Sequence, residues 1–118
     1  MTKTLTQESL GQFSGTEVWY RHPLFSKFTY TEGVKYVADT GGAYWLIDLI
    51  FSTQYEPRVK AEHFQHWTLK VQDSSGTVTA TDGNGHEIYK QEIEFTDFPL
   101  PEIQFYFTDN VLLLPGEY

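Results

Sequence analysis

Apolar residues recur on two different periods along this chain, and the change comes near residue 64. Between residues 31 and 55 they return every three or four positions, as a helix buried on one face requires. From Phe64 onward they alternate with polar residues, as half-buried strands require. The stretch "TEGVKYVADTGG" (31–42) predicts a helix of about two turns. Thr31 is its cap, Val34, Val37 and Ala38 form its apolar stripe, and Gly41-Gly42 stops it. "AYWLIDLIFSTQY" (43–55) predicts a second helix with apolar positions 43, 46, 47, 50 and 51, widened by Trp45 and Leu49. Apolar residues nearly encircle it, so it belongs in the centre, covered on more than one side. A buried strand is the competing assignment, because Tyr, Trp, Ile and Phe also suit strands. Upstream, "LTQESLGQF" reads as a short helix capped by Thr6, and "TEVWYRH" as an extended segment ended by Pro23. "LFSKFTY" has no clean period, and "EPRVKAEHF" is the longest polar connection.

"FQHWTLKVQ" sets Trp67, Leu69 and Val71 on one face and His66, Thr68, Lys70 and Gln72 on the other. "DSSG" turns it into "TVTAT", and "DGNG" turns that into "HEIYKQEIEFT". There Ile93 and Phe95 share a face, opposite Glu92 and Glu94, until Pro99 and Pro101 interrupt. "EIQFYFT" alternates again, with Ile103, Phe105 and Phe107 opposed to Glu102, Gln104, Tyr106 and Thr108, and "DN" is a last turn before "VLLL". The expected architecture is α+β in two layers. N-terminal helices pack on one face of a four- to five-stranded antiparallel sheet run as a meander. One domain spans 1–118, with 1–12 as a loose N-terminal segment.

Composition supports that picture. At 118 residues, with 40% hydrophobic and 17% aromatic side chains, the chain has enough to bury for one folded domain. It has no cysteine, which excludes disulfides, thiolate metal sites and cysteine nucleophiles, and suits a reducing, cytoplasmic setting. No apolar run approaches the roughly 20 residues that span a bilayer, and the first residues lack the apolar stretch of a signal peptide.

Charge changes the picture more. The net charge is −8, and residues 1–72 contribute none of it, holding seven acids and seven bases. Residues 73–118 hold nine acids and the single base Lys90. Such a chain is repelled by nucleic acid and by anionic membranes and is drawn to a basic protein surface.

The acids interleave with aromatics in "EIEFTDFPLPEIQFYFTDN" (92–110). If the strands around Glu92 and Glu102 pair, then Glu92, Glu94, Glu102 and Tyr106 share one wet face. Asp97 then lies near the crossover, Glu87 and Asp109 lie at its ends, and Tyr89 adds a flat amphipathic contact. Like charges placed opposite each other destabilise a sheet, so this face is the candidate partner-binding surface, and its spaced carboxylates resemble a phosphate backbone. Catalytic ingredients are few. Asp48, inside "YWLIDLIF", needs a partner if buried; Arg21 or His22 would supply one, and an enzyme reading rests on these three. His63 and His66 are three apart but fall on different faces of a strand start, and "DGNGHE" lacks the acids of a calcium loop, so neither a metal nor a cofactor is expected.

The phrases "GTEVWYRH", "YTEGVKYVADTGGAYWLIDLI", "DGNG", "QEIEFTDFPL" and "FYFTDNVLLLP" together resemble an uncharacterised family of small bacterial, plasmid and phage proteins, from Phe13 to Tyr118. That resemblance implies a setting among mobile elements, whose small proteins often inhibit host defences. Joined to the charge, it points to a non-enzymatic protein-binding domain, an anti-CRISPR-like inhibitor that occludes a basic nucleic-acid-binding surface. The alternatives are a small enzyme with the Arg21, His22 and Asp48 site, or a homo-oligomer paired through an edge strand such as 102–108.

Overall fold

In the computed structural model, which describes residues 5–15 and 18–118, the change of period at residue 64 divides short elements and helices from long strands. The elements run α1 (Gln7–Leu10), β1 (Trp19–Arg21), β2 (Thr29–Thr31), α2 (Glu32–Gly41), α3 (Tyr44–Thr53), α4 (Pro57–Lys60), β3 (Phe64–Gln72), β4 (Ser75–Thr81), β5 (Glu87–Ile93), β6 (Glu102–Thr108) and β7 (Val111–Leu113). A 3₁₀ turn at Pro115–Glu117 follows. Part of the extended segment expected from Thr16, and the first four residues of the N-terminal segment, lie outside the described residues.

Both longer helices form where the apolar stripes put them. Thr31 caps α2 by accepting from the Val34 N–H, and Gly42 ends it in the left-handed conformation at φ 63°, its N–H returning to the Ala38 carbonyl. The rival strand assignment for "AYWLIDLIF" fails: α3 is helical and buries Leu46, Ile47, Ile50 and Phe51. Thr6 caps α1 in a reciprocal box with Ser9.

The sheet differs from the expected meander. Among the described residues it has seven strands in the order β1-β2-β7-β6-β3-β4-β5, and β2 and β7 run parallel while every other pair is antiparallel. Two strands precede the longer helices α2 and α3, so a simple N-terminal helical layer on four or five antiparallel strands is not what forms. The cause lies in the 94–101 connection. Pro99 has no N–H for a ladder, and Phe98 and Leu100 are buried in the core, with the Thr96 N–H held by Ser74 at 2.9 Å. The connection therefore carries the chain past the end of β4, and β6 lands beside β3 instead of β5. Spatial order β6-β3-β4-β5 is a Greek key. In consequence β6 is an interior strand, so 102–108 offers no free edge like the one expected for an oligomer.

Alternation along the strands leaves one face to the core. Trp67, Leu69, Val78, Ala80, Ile103, Phe105, Phe107 and Leu112 all point to the helices and are buried. A polar knot lies inside this core. Gln54 at the end of α3 and Gln65 on β3 exchange amide hydrogen bonds of 2.8 Å in each direction. The Gln65 amide also donates to the carbonyls of Val59 and Glu62, and its oxygen accepts from the Trp67 indole at 2.9 Å. Among the described residues every buried side-chain nitrogen and oxygen has a partner, so the knot positions α3 and α4 on β3 without a desolvation penalty left over.

The C-terminus closes the other side. Glu117 is buried, and its Oε1 accepts from Thr31 Oγ1 at 2.6 Å and from the Leu114 N–H at 3.0 Å; its Oε2 accepts from the Gly33 N–H at 3.3 Å. The carboxylate thus caps the N-terminus of α2 from 84 residues away in sequence, where the helix dipole favours negative charge. A Cβ on Gly33 would stand 2.6 Å from Glu117 Oε1 and 2.8 Å from Leu114 Cδ1. Two effects oppose each other in Gly33→Ala: helix propensity gains up to about 1 kcal/mol, and forced repacking costs about 1–3 kcal/mol. Repacking wins because the clashing carboxylate is held by three hydrogen bonds. Gly33→Ala is expected to lower the midpoint of urea unfolding; a raised midpoint would show that Glu117 moves freely and does not lock the helix.

Candidate functional site

The face of the sheet opposite the helices carries the candidate surface, and the register fixes its layout. One row across it reads Glu102, Lys70, Thr77, Glu92; the next reads Gln104, Thr68, Thr79, Lys90. A third reads Leu113, Tyr106, His66, Thr81, Glu87. Glu92 and Glu102 therefore lie on one row but with β3 and β4 between them, about 14 Å apart at the usual strand spacing. The strands that sequence would pair do not pair. Each acid instead has its own neighbours: Lys70 Nζ stands 4.0 Å from Glu102, Lys90 Nζ stands 4.0 Å from Glu92, and Thr77 Oγ1 donates to Glu92 at 2.9 Å. A groove of about 720 Å³ runs over this part of the face, lined by Lys70, Thr77, Thr79, Lys90 and Glu102 among others.

The remaining candidates disperse. Glu94 and Asp97 are exposed in the connection after β5, and Glu87 is exposed at its start. Asp109 is exposed in the two-residue turn between β6 and β7, on the lining of a polar cleft of about 300 Å³ shared with Lys27, Lys60 and His63. Tyr89 points to the helix side, its ring 5.7 Å from Trp67, because it stands opposite the buried Ala80 and alternates with Lys90. Among the proposed contacts, Glu92, Glu102, Tyr106 and Glu87 share the uncovered face; Glu94, Asp97 and Asp109 lie at its ends, and Tyr89 is on the other side.

Tyr106 has company that the sequence does not show. Pairing of β3 with β6 brings Phe64 to 4.9 Å from Tyr106, and the C-terminal turn brings Tyr118 to 5.5 Å and 5.4 Å from these two rings. His66 packs edge-on against Tyr106 at 5.3 Å. Tyr118 remains 72% exposed, so this three-ring corner presents flat amphipathic surface to solvent. Beside it a chain of hydrogen bonds orders the polar groups: His66 Nε2 donates to Gln104 Oε1 at 2.8 Å, and Gln104 Nε2 donates to Glu102 Oε2 at 2.9 Å. The orientation of the amide follows from the carboxylate, which can only accept. The alternation in "FQHWTLK" already sets Phe64 and His66 opposite Trp67; only the β3–β6 register shows that they meet Tyr106.

The enzyme candidates form a pair and not a triad. His22 is buried, and its Nε2 meets Asp48 Oδ1 at 2.6 Å, while Arg21 is exposed on β1. The Nδ1 of His22 accepts the backbone N–H groups of Leu24 and Phe25 at 3.0 and 3.1 Å, so its ring proton is on Nε2 and goes to Asp48. Both ring nitrogens are thus engaged within the protein, and neither keeps a lone pair for a substrate proton. The imidazole acts as a staple between the turn after β1 and α3, against Phe25 and Phe51. Asp48 side-chain exposure is 60%, so this hydrogen bond from a neutral imidazole is open to competition from water.

Elsewhere, burial followed by the hydrogen bond to Asp39 pushes the Tyr44 phenol up to about 12. The same carboxylate meets Lys35 Nζ at 2.7 Å and raises the lysine. Asp82 is held below the usual carboxylate range, first by the Asn84 N–H at 2.8 Å and then by His86. Its carboxylate closes the turn between β4 and β5, where Gly83 and Gly85 adopt φ 88° and 89°. Among the described residues no group of three His, Cys, Asp or Glu could hold a metal ion, and no helix is long and apolar enough to cross a membrane.

Two outcomes are expected. His22→Ala leaves two turn N–H groups without their acceptor and is expected to cost about 1–3 kcal/mol, whereas Asp48→Ala is expected to cost less than about 1 kcal/mol. Equal costs in denaturant titrations would contradict the staple. For Asp82 the folded-state pKa lies below the unfolded one, so the stabilisation of the turn is full above the ordinary aspartate value and is lost as pH falls through the depressed value. The protection factors of the Asn84 and His86 amides, followed by NMR down an acid series, should hold through the ordinary aspartate range and fall only below it. Loss of protection beginning above that range would rule the Asp82 contacts out as its source.

Residues 4–118 match a family of unknown function, DUF6876. No curated protein and no solved structure matches the chain.

Proposed function

We propose that this chain, which belongs to the DUF6876 family of unknown function, is a non-enzymatic protein-binding domain that meets a basic partner with the uncovered face of its sheet. The observation that carries the reading is the corner formed by Phe64, Tyr106 and Tyr118. Large rings in mutual contact lose little freedom on binding, and such residues dominate interface energies. The hydrogen-bonded run from His66 through Gln104 to Glu102 gives the polar contacts beside them a fixed geometry.

A basic partner follows from charge. The excess of 16 acids over 8 bases steers a cationic surface toward the molecule, and Glu87, Glu94, Asp97 and Asp109 place carboxylates near the ends of the face. The finer form of this reading is an inhibitor that occludes the nucleic-acid-binding surface of its partner. It has support from net charge and not from a concentrated acidic patch, since Lys70 and Lys90 stand among the acids on the face itself. The non-enzymatic reading is supported by the full engagement of the His22 ring.

The test is affinity capture from bacterial lysate with the wild type and with the double variant Tyr106→Ala/Tyr118→Ala, washed at about 0.1 M and about 0.5 M salt. A nucleic-acid-binding protein retained at the lower salt and released at the higher is expected, with retention by the variant reduced about tenfold or more. Undiminished retention by the folded variant would remove the aromatic corner from the interface. A partner that is not basic would overturn the charge argument.

A further inference from the structure

We propose that two copies of this chain associate edge to edge through β5, continuing the sheet across a twofold axis at Gln91. Among the described residues β5 is a terminal strand, seven residues long and paired on one side only, with β4. The opposite terminal strand, β1, has three residues. A long unpaired edge offers backbone donors and acceptors to another strand.

Which groups it offers follows from hydrogen-bond alternation. In an antiparallel strand each residue turns its N–H and C=O to one side, and the side alternates along the strand. Val71 donates to the Pro101 carbonyl at 2.8 Å, on the β6 side, so Lys70 and Gln72 face β4. Lys70 is opposite Thr77, which leaves Gly76 and Val78 facing β5, opposite Ile93 and Gln91. The backbone groups of Gln91 are therefore used within the sheet, and those of Lys90 and Glu92 point outward. The same alternation turns the Glu102 carbonyl away from β3, where Gln7 Nε2 meets it at 3.1 Å. At the start of β5, Arg58 Nη2 holds the Glu87 carbonyl at 3.1 Å and closes the free edge there.

Outward residues must pair with outward residues, which leaves few twofold registers. A register centred on Lys90 opposes two lysines, and one centred on Glu92 opposes two glutamates. The register centred on Gln91 sets Lys90 opposite the partner's Glu92, and Glu92 opposite the partner's Lys90, all on the uncovered face. On the helix side it sets half-buried Tyr89 opposite the partner's Ile93. Phe95, 70% exposed two residues beyond the strand, comes alongside the start of the partner's β5. A lysine in the middle of an edge discourages foreign strands; here the glutamate two positions on answers it when the partner is a second copy. The groove along Lys70, Thr77, Thr79 and Lys90 then runs on into the same rows of the second molecule.

The test is sedimentation equilibrium of the full chain over a concentration series. The wild type is expected to move from 13.7 kDa toward twice that mass. Lys90→Glu and Glu92→Lys each place like charges opposite one another twice and are expected to weaken the dimer about tenfold or more. The double variant Lys90→Glu/Glu92→Lys restores both pairs and is expected to dimerise as the wild type does. Lys90→Pro removes an N–H that points out of the sheet and is expected to give a folded monomer, with circular dichroism confirming the fold. A wild type that stays monomeric throughout, single variants that dimerise unchanged, or a double variant no better than the singles would each overturn the proposal.

Discussion

The buried carboxylate of Glu117 is the constraint on which the rest of this structure depends. A charge taken out of water is costly unless it is fully hydrogen-bonded, and Glu117 meets that condition only when three separate parts of the chain converge on it. Thr31 belongs to the junction of β2 and α2, Gly33 to the first turn of α2, and Leu114 to the end of β7. The bonds therefore hold together at one point the parallel pairing of β2 with β7, the start of the helical layer and the C-terminal turn. Two three-residue strands would pair weakly by themselves. Anchoring both to one carboxylate supplies the specificity that their length does not, and it leaves Tyr118 held beside Phe64 and Tyr106.

The Greek key has an electrostatic consequence. A meander would have placed β5 beside β6, and with it Glu92 and Glu94 beside Glu102 in a strip with Lys90 its nearest base. Inserting β3 and β4 brings Lys70 and a ladder of threonines between those acids. Like-charge repulsion on the face is relieved, and the net charge is carried by loops, turns and helix surfaces where water screens it. The face that results is mixed and ordered. That suits recognition by shape and ring contact more than by charge alone, while the long-range field of the molecule remains acidic.

Local signals were legible and distant ones were not. Thr31, the stripe of Val34, Val37 and Ala38, and Gly42 mark α2 from end to end, because caps and periodicity are properties of neighbouring residues. The inner and outer faces of β3 and β6 were equally legible, since alternation does not depend on the partner strand. Strand order was not. Nothing in "TYT" or "VLL" announces that these segments will pair in parallel, because three residues are too few to show a period. The crossing at 94–101 had a trace in its two prolines, but a proline marks where pairing stops and not where the chain goes next. The pairing of His22 with Asp48 could be guessed from an aspartate in an apolar run. The two turn N–H groups that occupy the other ring nitrogen could not, and they decide what the histidine is able to do.

The aromatic corner of the candidate surface was not legible in the sequence for the same reason that the sheet order was not. Tyr106 was found because it lies within a long alternating strand, but its importance comes from Phe64, 42 positions earlier, and from Tyr118 at the end of the chain. A helix-covered face must be apolar to pay for folding, so its composition says little beyond burial. The opposite face is under no such demand. Packing against the core does not require Phe64, Tyr106 and Tyr118 to meet there, and threonines like those on β4 would keep that side of the sheet soluble. The meeting of these rings therefore comes from strand register and the C-terminal turn and not from the demand for a core, and that is the ground of the binding reading proposed for this face.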